Sequence, residues 1–301
     1  MALRGPVTNP LAPCPAAMPY LGTSTATDPS MHAPSPPALP PASSLRARRF
    51  RTWRSILALV LREMSTTYGR SPGGYAWAIL EPVAAIFLLS AAFQFVFRTP
   101  SLGSNFPFFF ATGYLPYMLT LTLMNNCGRA IRFSRALLAY PGVTWSDAVF
   151  ARAILTTLTD LLTTLIVITG IVLIFRIDLI LSPGPIVLAL AMAITVGIGV
   201  GSLNCYLFTA FPAWERVWSV ITRPLLLVSG VIFLYDTLPD RAQPVMLWNP
   251  LTHVVGAARK GFFATYDADY LMPVYVFSFG LICWAWGFML LHRHHKALIN
   301  N

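Results

Sequence analysis

Two carboxylates stand where carboxylates are costly: Glu81 and Asp160 each interrupt a long apolar stretch. An Asp at the centre of a membrane helix costs roughly 2.5–3.5 kcal/mol on insertion scales, so such a group is first read as functional. Glu81 falls about one turn into the first apolar stretch and Asp160 about two turns into the third. Each either fixes packing by pairing with an arginine, such as Arg70 or Arg152, or serves a pathway. A proton relay needs a chain of ionisable groups across the bilayer, and the sequence offers only scattered ones. No G-x-x-x-x-G-K-S/T phosphate loop occurs, so the chain has no P-loop ATPase of its own. H-E-x-x-H and G-x-S-x-G are absent as well. His292, His294 and His295 have loose metal-ligand spacing, but beside Arg293 and Lys296 they read as an anchor at a membrane surface. Cys14, Cys127, Cys205 and Cys283 are too scattered for a metal or redox pair. No catalytic residue, bound cofactor or metal is expected.

The elements that must hold these residues are membrane helices. Hydrophobic residues make up 56% of the chain and charged ones 11%, against about 25% charged in soluble domains. Apolar stretches run over about 77–97, 106–127, 153–175, 184–211, 217–235 and 271–291. Each is close to the roughly 20 residues that cross a hydrocarbon layer about 30 Å thick. The net charge of +10 does not imply nucleic acid, because its location follows topology. Arg46, Arg48, Arg49, Arg51, Arg54, Arg62 and Arg70 precede the first stretch, Arg129, Arg132, Arg135 and Arg152 follow the second, and basic residues follow the sixth. Connections of the other parity are sparse in positive charge or balanced by Asp, which puts both termini in the cytoplasm.

Residues 1–44 are Pro-rich, lack apolar periodicity and are expected to be disordered. Residues 45–72 carry Phe50, Trp53, Ile56, Leu57, Val60, Leu61 and Met64 at three- and four-residue steps, with arginines mostly off that stripe. This is an amphipathic helix expected to lie in the membrane surface. The six-stretch membrane body is 73–292, with a tail at 293–301. A short basic helix is expected from Arg129 to Tyr140, and a tight turn around 211–216. The connection 236–270 contains apolar patches too short to span. Irregular backbone at membrane depth survives only inside protein or along a cavity, so this segment is either a gate that dips into the membrane or a surface cap. Gly197, Gly199 and Gly201 allow close helix approach, within one subunit or between subunits. Phe106, Phe108, Phe109, Phe110, Tyr114 and Tyr117 read mainly as an interfacial aromatic belt; along a pathway such rings offer stacking faces to sugars.

Three patches carry a resemblance. Gly74-Tyr75-Ala76-Trp77-Ala78-Ile79-Leu80-Glu81-Pro82, then Phe211-Pro212-Ala213-Trp214-Glu215-Arg216-Val217-Trp218 with Arg223-Pro224 and Ser229-Gly230, then Leu247-Trp248-Asn249-Pro250-Leu251-Thr252-His253 with Arg259 and Gly261-Phe262-Phe263, occur in that order. Over about 50–292 the chain resembles the permeases of bacterial ABC polysaccharide exporters, above all those for capsular polysaccharide. The Pro-rich extension departs from the pattern. The resemblance implies an all-α polytopic fold of six transmembrane helices, an interfacial N-terminal helix and a re-entrant outer segment in the bacterial inner membrane. It also implies a homodimer with two copies of a separate ABC ATPase that binds the ATP, acting on an acidic, lipid-linked polysaccharide with further periplasmic and outer-membrane export components. Coupling to the ATPase would fall to Arg129, Arg132, Arg135, Glu215 and Arg216. The pathway and gate would fall to Glu81, Asp160, Trp248, Asn249, His253, Arg259, Phe262 and Phe263, with Arg259 meeting an acidic glycan. The alternatives are a permease for O-antigen, teichoic acid or small lipophilic compounds, a membrane-embedded lipid or sugar transferase, and a non-transporting scaffold.

Overall fold

The computed structural model describes residues 56–62, 64, 74–138 and 144–300. The 1–44 extension lies outside them, as does the 45–72 helix apart from 56–62 and 64, which are helical. Leu59 and Val60 of that stretch pack against Ala151 and Leu155, while Leu57, Leu61 and Met64 stay exposed.

The described residues are helical throughout their ordered elements. These are α1 (Gly74–Val96), α2 (Phe106–Gly128), α3 (Ala130–Leu138), α4 (Trp145–Phe175), α5 (Pro183–Ala210), α6 (Pro212–Val228), α7 (Gln243–Leu247), α8 (Pro250–Phe262) and α9 (Pro273–Asn300). Five of them, α1, α2, α4, α5 and α9, are long and apolar enough to cross a membrane.

The expected fifth span differs. Its helix is 17 residues, Pro212–Val228, or about 25 Å, shorter than a hydrocarbon layer of about 30 Å. It starts five residues before the apolar stretch and stops where Gly230 takes φ +72, a left-handed conformation open to glycine at little cost. Beyond it, Val231 and Leu234 are buried without being helical.

The helix α4 also begins earlier than its hydropathy suggests. Thr144 caps it: its hydroxyl accepts from Asp147 N, and Asp147 accepts from Thr144 N. This reciprocal box satisfies donors that a helix start leaves open. Asp160 is therefore about four turns into a 31-residue helix, rather than two.

The core forms around α5, which packs on α2, α8 and α9. Its glycines make that possible. A Cβ on Gly197 would meet Leu123 Cβ at 2.6 Å, one on Gly201 would meet Cys127 Cβ at 2.7 Å, and one on Gly199 would meet Gly280 O at 2.2 Å. The glycine stripe is thus a seam inside one subunit, shared between α2 on one side and α9 on the other. The aromatic run at the start of α2 also turns inward. Phe108, Phe109 and Phe110 are nearly fully buried, and Phe108 sets its ring 5.2 Å from that of Phe263. Packing, not a lipid-facing belt, accounts for these rings.

Candidate functional site

The charged residues collect at the two ends of the bundle. At one end the turn between α5 and α6 is a single residue, Phe211, which brings Glu215 onto the basic α2–α3 junction. Arg129 Nε donates to Glu215 Oε1 at 2.8 Å and Arg132 Nη1 to Oε2 at 2.6 Å. Arg132 also donates through Nη2 to the Phe208 carbonyl. Partial burial acts to raise the Glu215 pKa, yet the hydrogen bonds and charges of the two arginines hold it below the usual carboxylate range. Arg135 and Arg216 are exposed at the same end. Of the five residues assigned to coupling, three form one cluster and two flank it.

At the opposite end α8 is a helix and almost wholly buried, where the sequence suggested irregular backbone. Asn249 starts it: the side chain accepts from Leu251 N at 3.1 Å and Pro250 follows at the first helical position, where its missing donor is harmless. The Asn249 amide also donates to Val228 O at 3.3 Å and Ser229 Oγ at 3.1 Å. His253 is fully buried, with Nε2 3.0 Å from Leu247 O and Nδ1 accepting from Met272 N at 3.3 Å. That pair of contacts requires the neutral ring with its proton on Nε2. Burial lowers the His253 pKa, and the bond to Leu247 opposes this in part.

Arg259 is 2% exposed. Its Nη1 donates to Gly230 O at 2.7 Å and Nη2 to Val231 O at 2.8 Å, and its guanidinium lies 4.3 Å from the Phe109 ring centroid. Desolvation pulls its pKa to about 10, with Tyr266 and Tyr270 opposing, so it stays charged at neutral pH. Two carbonyl acceptors and a ring face offset the desolvation of that charge. The guanidinium is engaged inside the subunit rather than open to a passing glycan. Gly113 is its cradle, because a Cβ there would meet Nη2 at 2.8 Å. Phe263 is buried, Phe262 is half-buried, and Trp248 is 78% exposed.

The two acids of the apolar stretches meet. Glu81 and Asp160 line one cavity of about 140 Å³ with Thr122, Asn126, Thr159 and Thr163. Asp160 accepts from the Thr122 hydroxyl. Arg152, the expected partner of Asp160, instead reaches Asn126 O at 3.5 Å and lies 4.1 Å from the Phe133 ring centroid; Arg70 lies outside the described residues. Among the described residues no group of three or more His, Cys, Asp or Glu has metal-binding geometry.

Sequence reasoning missed Gly113 and Thr122 and named Gly230 only within a resembling patch, because their roles depend on long-range contacts. The Asn249-Pro250 pair was a legible helix start inside a segment read as irregular backbone.

Five long apolar helices packed around a glycine seam, with polar side chains tying a short helix at both ends, define a polytopic α-helical membrane protein. Residues 54–263 match the ABC-2 type transporter family, and the chain belongs to it. It is similar to the polysialic acid transport protein KpsM of Escherichia coli, 27% identical over 247 residues that cover 82% of this chain and 96% of KpsM. The capsule polysaccharide export inner-membrane protein CtrC of Neisseria meningitidis serogroup A is 27% identical, covering 81% of this chain and 92% of CtrC. The capsule polysaccharide export inner-membrane protein BexB of Haemophilus influenzae is also 27% identical, covering 70% and 79%.

Proposed function

We propose that this chain is the membrane-embedded permease subunit of an ATP-driven exporter that moves capsular polysaccharide outward across the bacterial inner membrane. The observation that carries this reading is its similarity to a polysialic acid transport protein and a capsule polysaccharide export inner-membrane protein along nearly their whole length. The substrate would be acidic and lipid-linked. The chain has no catalytic role of its own, and hydrolysis falls to an ABC ATPase on a separate chain. Two copies of each would assemble, the permease as a homodimer, with periplasmic and outer-membrane components completing the route.

In this reading the short α6 is the fifth of six spans, and the helix within 45–72 is a collar in the inner membrane surface. Both termini are cytoplasmic. The Arg129–Arg132–Glu215 end faces the ATPase, with Arg135 and Arg216 exposed beside it. The α7–α8 segment is re-entrant and closes the outer mouth. The interior placement of α8 supports that, since a surface cap would leave its helix largely solvated.

The test is a clean deletion with plasmid complementation. The deletion strain should hold polysaccharide inside the cell and show none at its surface, and the intact gene should restore surface polysaccharide. Normal surface polysaccharide in the deletion strain would sink the proposal.

A further inference from the structure

The helix α6 is gripped at both ends and packs only half-buried apolar side chains, Trp218, Leu225 and Leu226, on the core between them. At its start Glu215 receives Arg129 and Arg132. At its end Val228 O accepts from the Asn249 amide and, at 3.1 Å, from the Thr252 hydroxyl. Just past the end, Arg259 holds the carbonyls of Gly230 and Val231. Between these grips no residue of α6 is buried. Its sideways ties are light: Trp214 Nε1 to Asn204 Oδ1 at 3.2 Å, Trp218 Nε1 to Asn125 Oδ1 at 2.9 Å, and Tyr117 OH to Thr222 O at 3.4 Å. Every other long helix of the bundle buries residues along its length.

We propose that α6 is an axial link: displacement of the basic end at Glu215 is carried along the helix to α8 through Arg259 and Asn249, which act as positioning residues for the gate. This rests on the transport reading above, which gives the basic end to the ATPase and α8 to the outer mouth. The physical grounds are three. A helix is stiff along its axis, because each turn is closed by hydrogen bonds. An interlocked helix resists sliding, and α6 has no fully buried side chain to lock it, only Trp218, Leu225 and Leu226 half-buried against the core. The end grips are charge-assisted and forked, so they fix geometry as well as contact. Pro224 sits one turn before the far grip and removes one helical hydrogen bond, placing a joint next to the gate rather than in mid-helix.

The test is a double-mutant cycle in the assembled exporter. Glu215→Gln removes the near grip's charge; Arg259→Lys keeps the far charge and removes the fork. Each is expressed in the deletion strain, and the initial rate of polysaccharide appearance at the surface is measured per chain in the membrane. ATP hydrolysis is measured on the purified complex with its ATPase. Each single variant should slow export about fivefold or more while hydrolysis continues. The double variant should be no slower than the slower single, because a link already cut at one end loses nothing further at the other. Sites about 25 Å apart that act independently would instead multiply their losses, and that result overturns the link. Export at the wild-type rate in either single, or hydrolysis falling in step with export, overturns it too. Should Arg259→Lys fail to accumulate, Asn249→Ser with Thr252→Val loosens the same grip and takes its place in the cycle. Failure of the wild-type gene to restore export counts against the transport reading, whereas multiplied losses beside a working wild type count against the link alone.

Discussion

At Gly199 the space for a side chain is negative: a Cβ would fall 2.2 Å from Gly280 O, a backbone atom of α9 that has nowhere to retreat. Overpacking of this kind costs about 1–3 kcal/mol. Gly199→Ala should therefore lower the thermal stability of the detergent-solubilised chain. Gly170 supplies the contrast, since a Cβ there meets nothing within 4 Å and an alanine favours helix by roughly 0.5–1 kcal/mol. Gly170→Ala should leave stability unchanged or raised when both are melted under the same conditions, and equal losses in the two variants would refute the seam. Both glycines look alike in sequence: each lies inside an apolar helix. The small-residue spacing around Gly199 marked a close contact, yet the partners of the stripe, Leu123 and Cys127 before it and Gly280 after it, lie far off in the chain, which spacing cannot name. Arg259 presents the same limit. The resemblance of its patch pointed to a function, but only the fold brings Gly230 O, Val231 O and Phe109 to it.

The α8 element depends on a histidine in one protonation state. Nδ1 of His253 accepts from Met272 N, so protonation there removes the acceptor and sets two donors face to face. The folded pKa is lowered from the usual value by burial, while the unfolded chain keeps a value of about 6.5. Below that value the unfolded state takes up a proton that the folded state refuses. The stabilisation is thus complete above about pH 6.5 and is lost as pH falls toward the depressed folded value. Melting temperature should fall as pH drops from 7 to 5, and His253→Gln should flatten that slope, whatever its effect on stability at pH 7. An unchanged slope would mean another group dominates. Element boundaries show why sequence reading succeeded unevenly. The long apolar runs of α1, α2, α5 and α9 speak for themselves through length and composition. The start of α4 was set instead by the Thr144–Asp147 box, and the end of α6 by Gly230 and the side chains of α8, so hydropathy misplaced both. The helix α8 was hidden because a buried helix of 13 residues with His, Arg and Lys has neither the length of a span nor the polarity of a loop.

The molecule has two chemically distinct ends, and the orientation proposed for them rests on charge alone. Ser101 lies on the α1–α2 connection, next to Gly103, whose neighbour is the Phe263 ring at the α8 end. Phe211 lies at the other end, in the turn beside Glu215, and is 57% exposed. With Arg129, Arg132 and Arg135 in the cytoplasm, as we propose from the positive-inside rule, Phe211 would lie inside and Ser101 outside. Native thiols interfere little: Cys127 and Cys205 are buried, and replacing Cys14 and Cys283 by serine clears the background. In that background Ser101→Cys should react with a membrane-impermeant maleimide in intact spheroplasts. Phe211→Cys should react only after the membrane is opened. Reaction of both from the same side would break the assignment of opposite ends, and the reverse pattern would invert the chain. Inversion would matter beyond topology, since it would turn the Arg129–Arg132–Glu215 cluster away from any cytoplasmic ATPase. The axial link would then have its grip on the wrong side of the membrane.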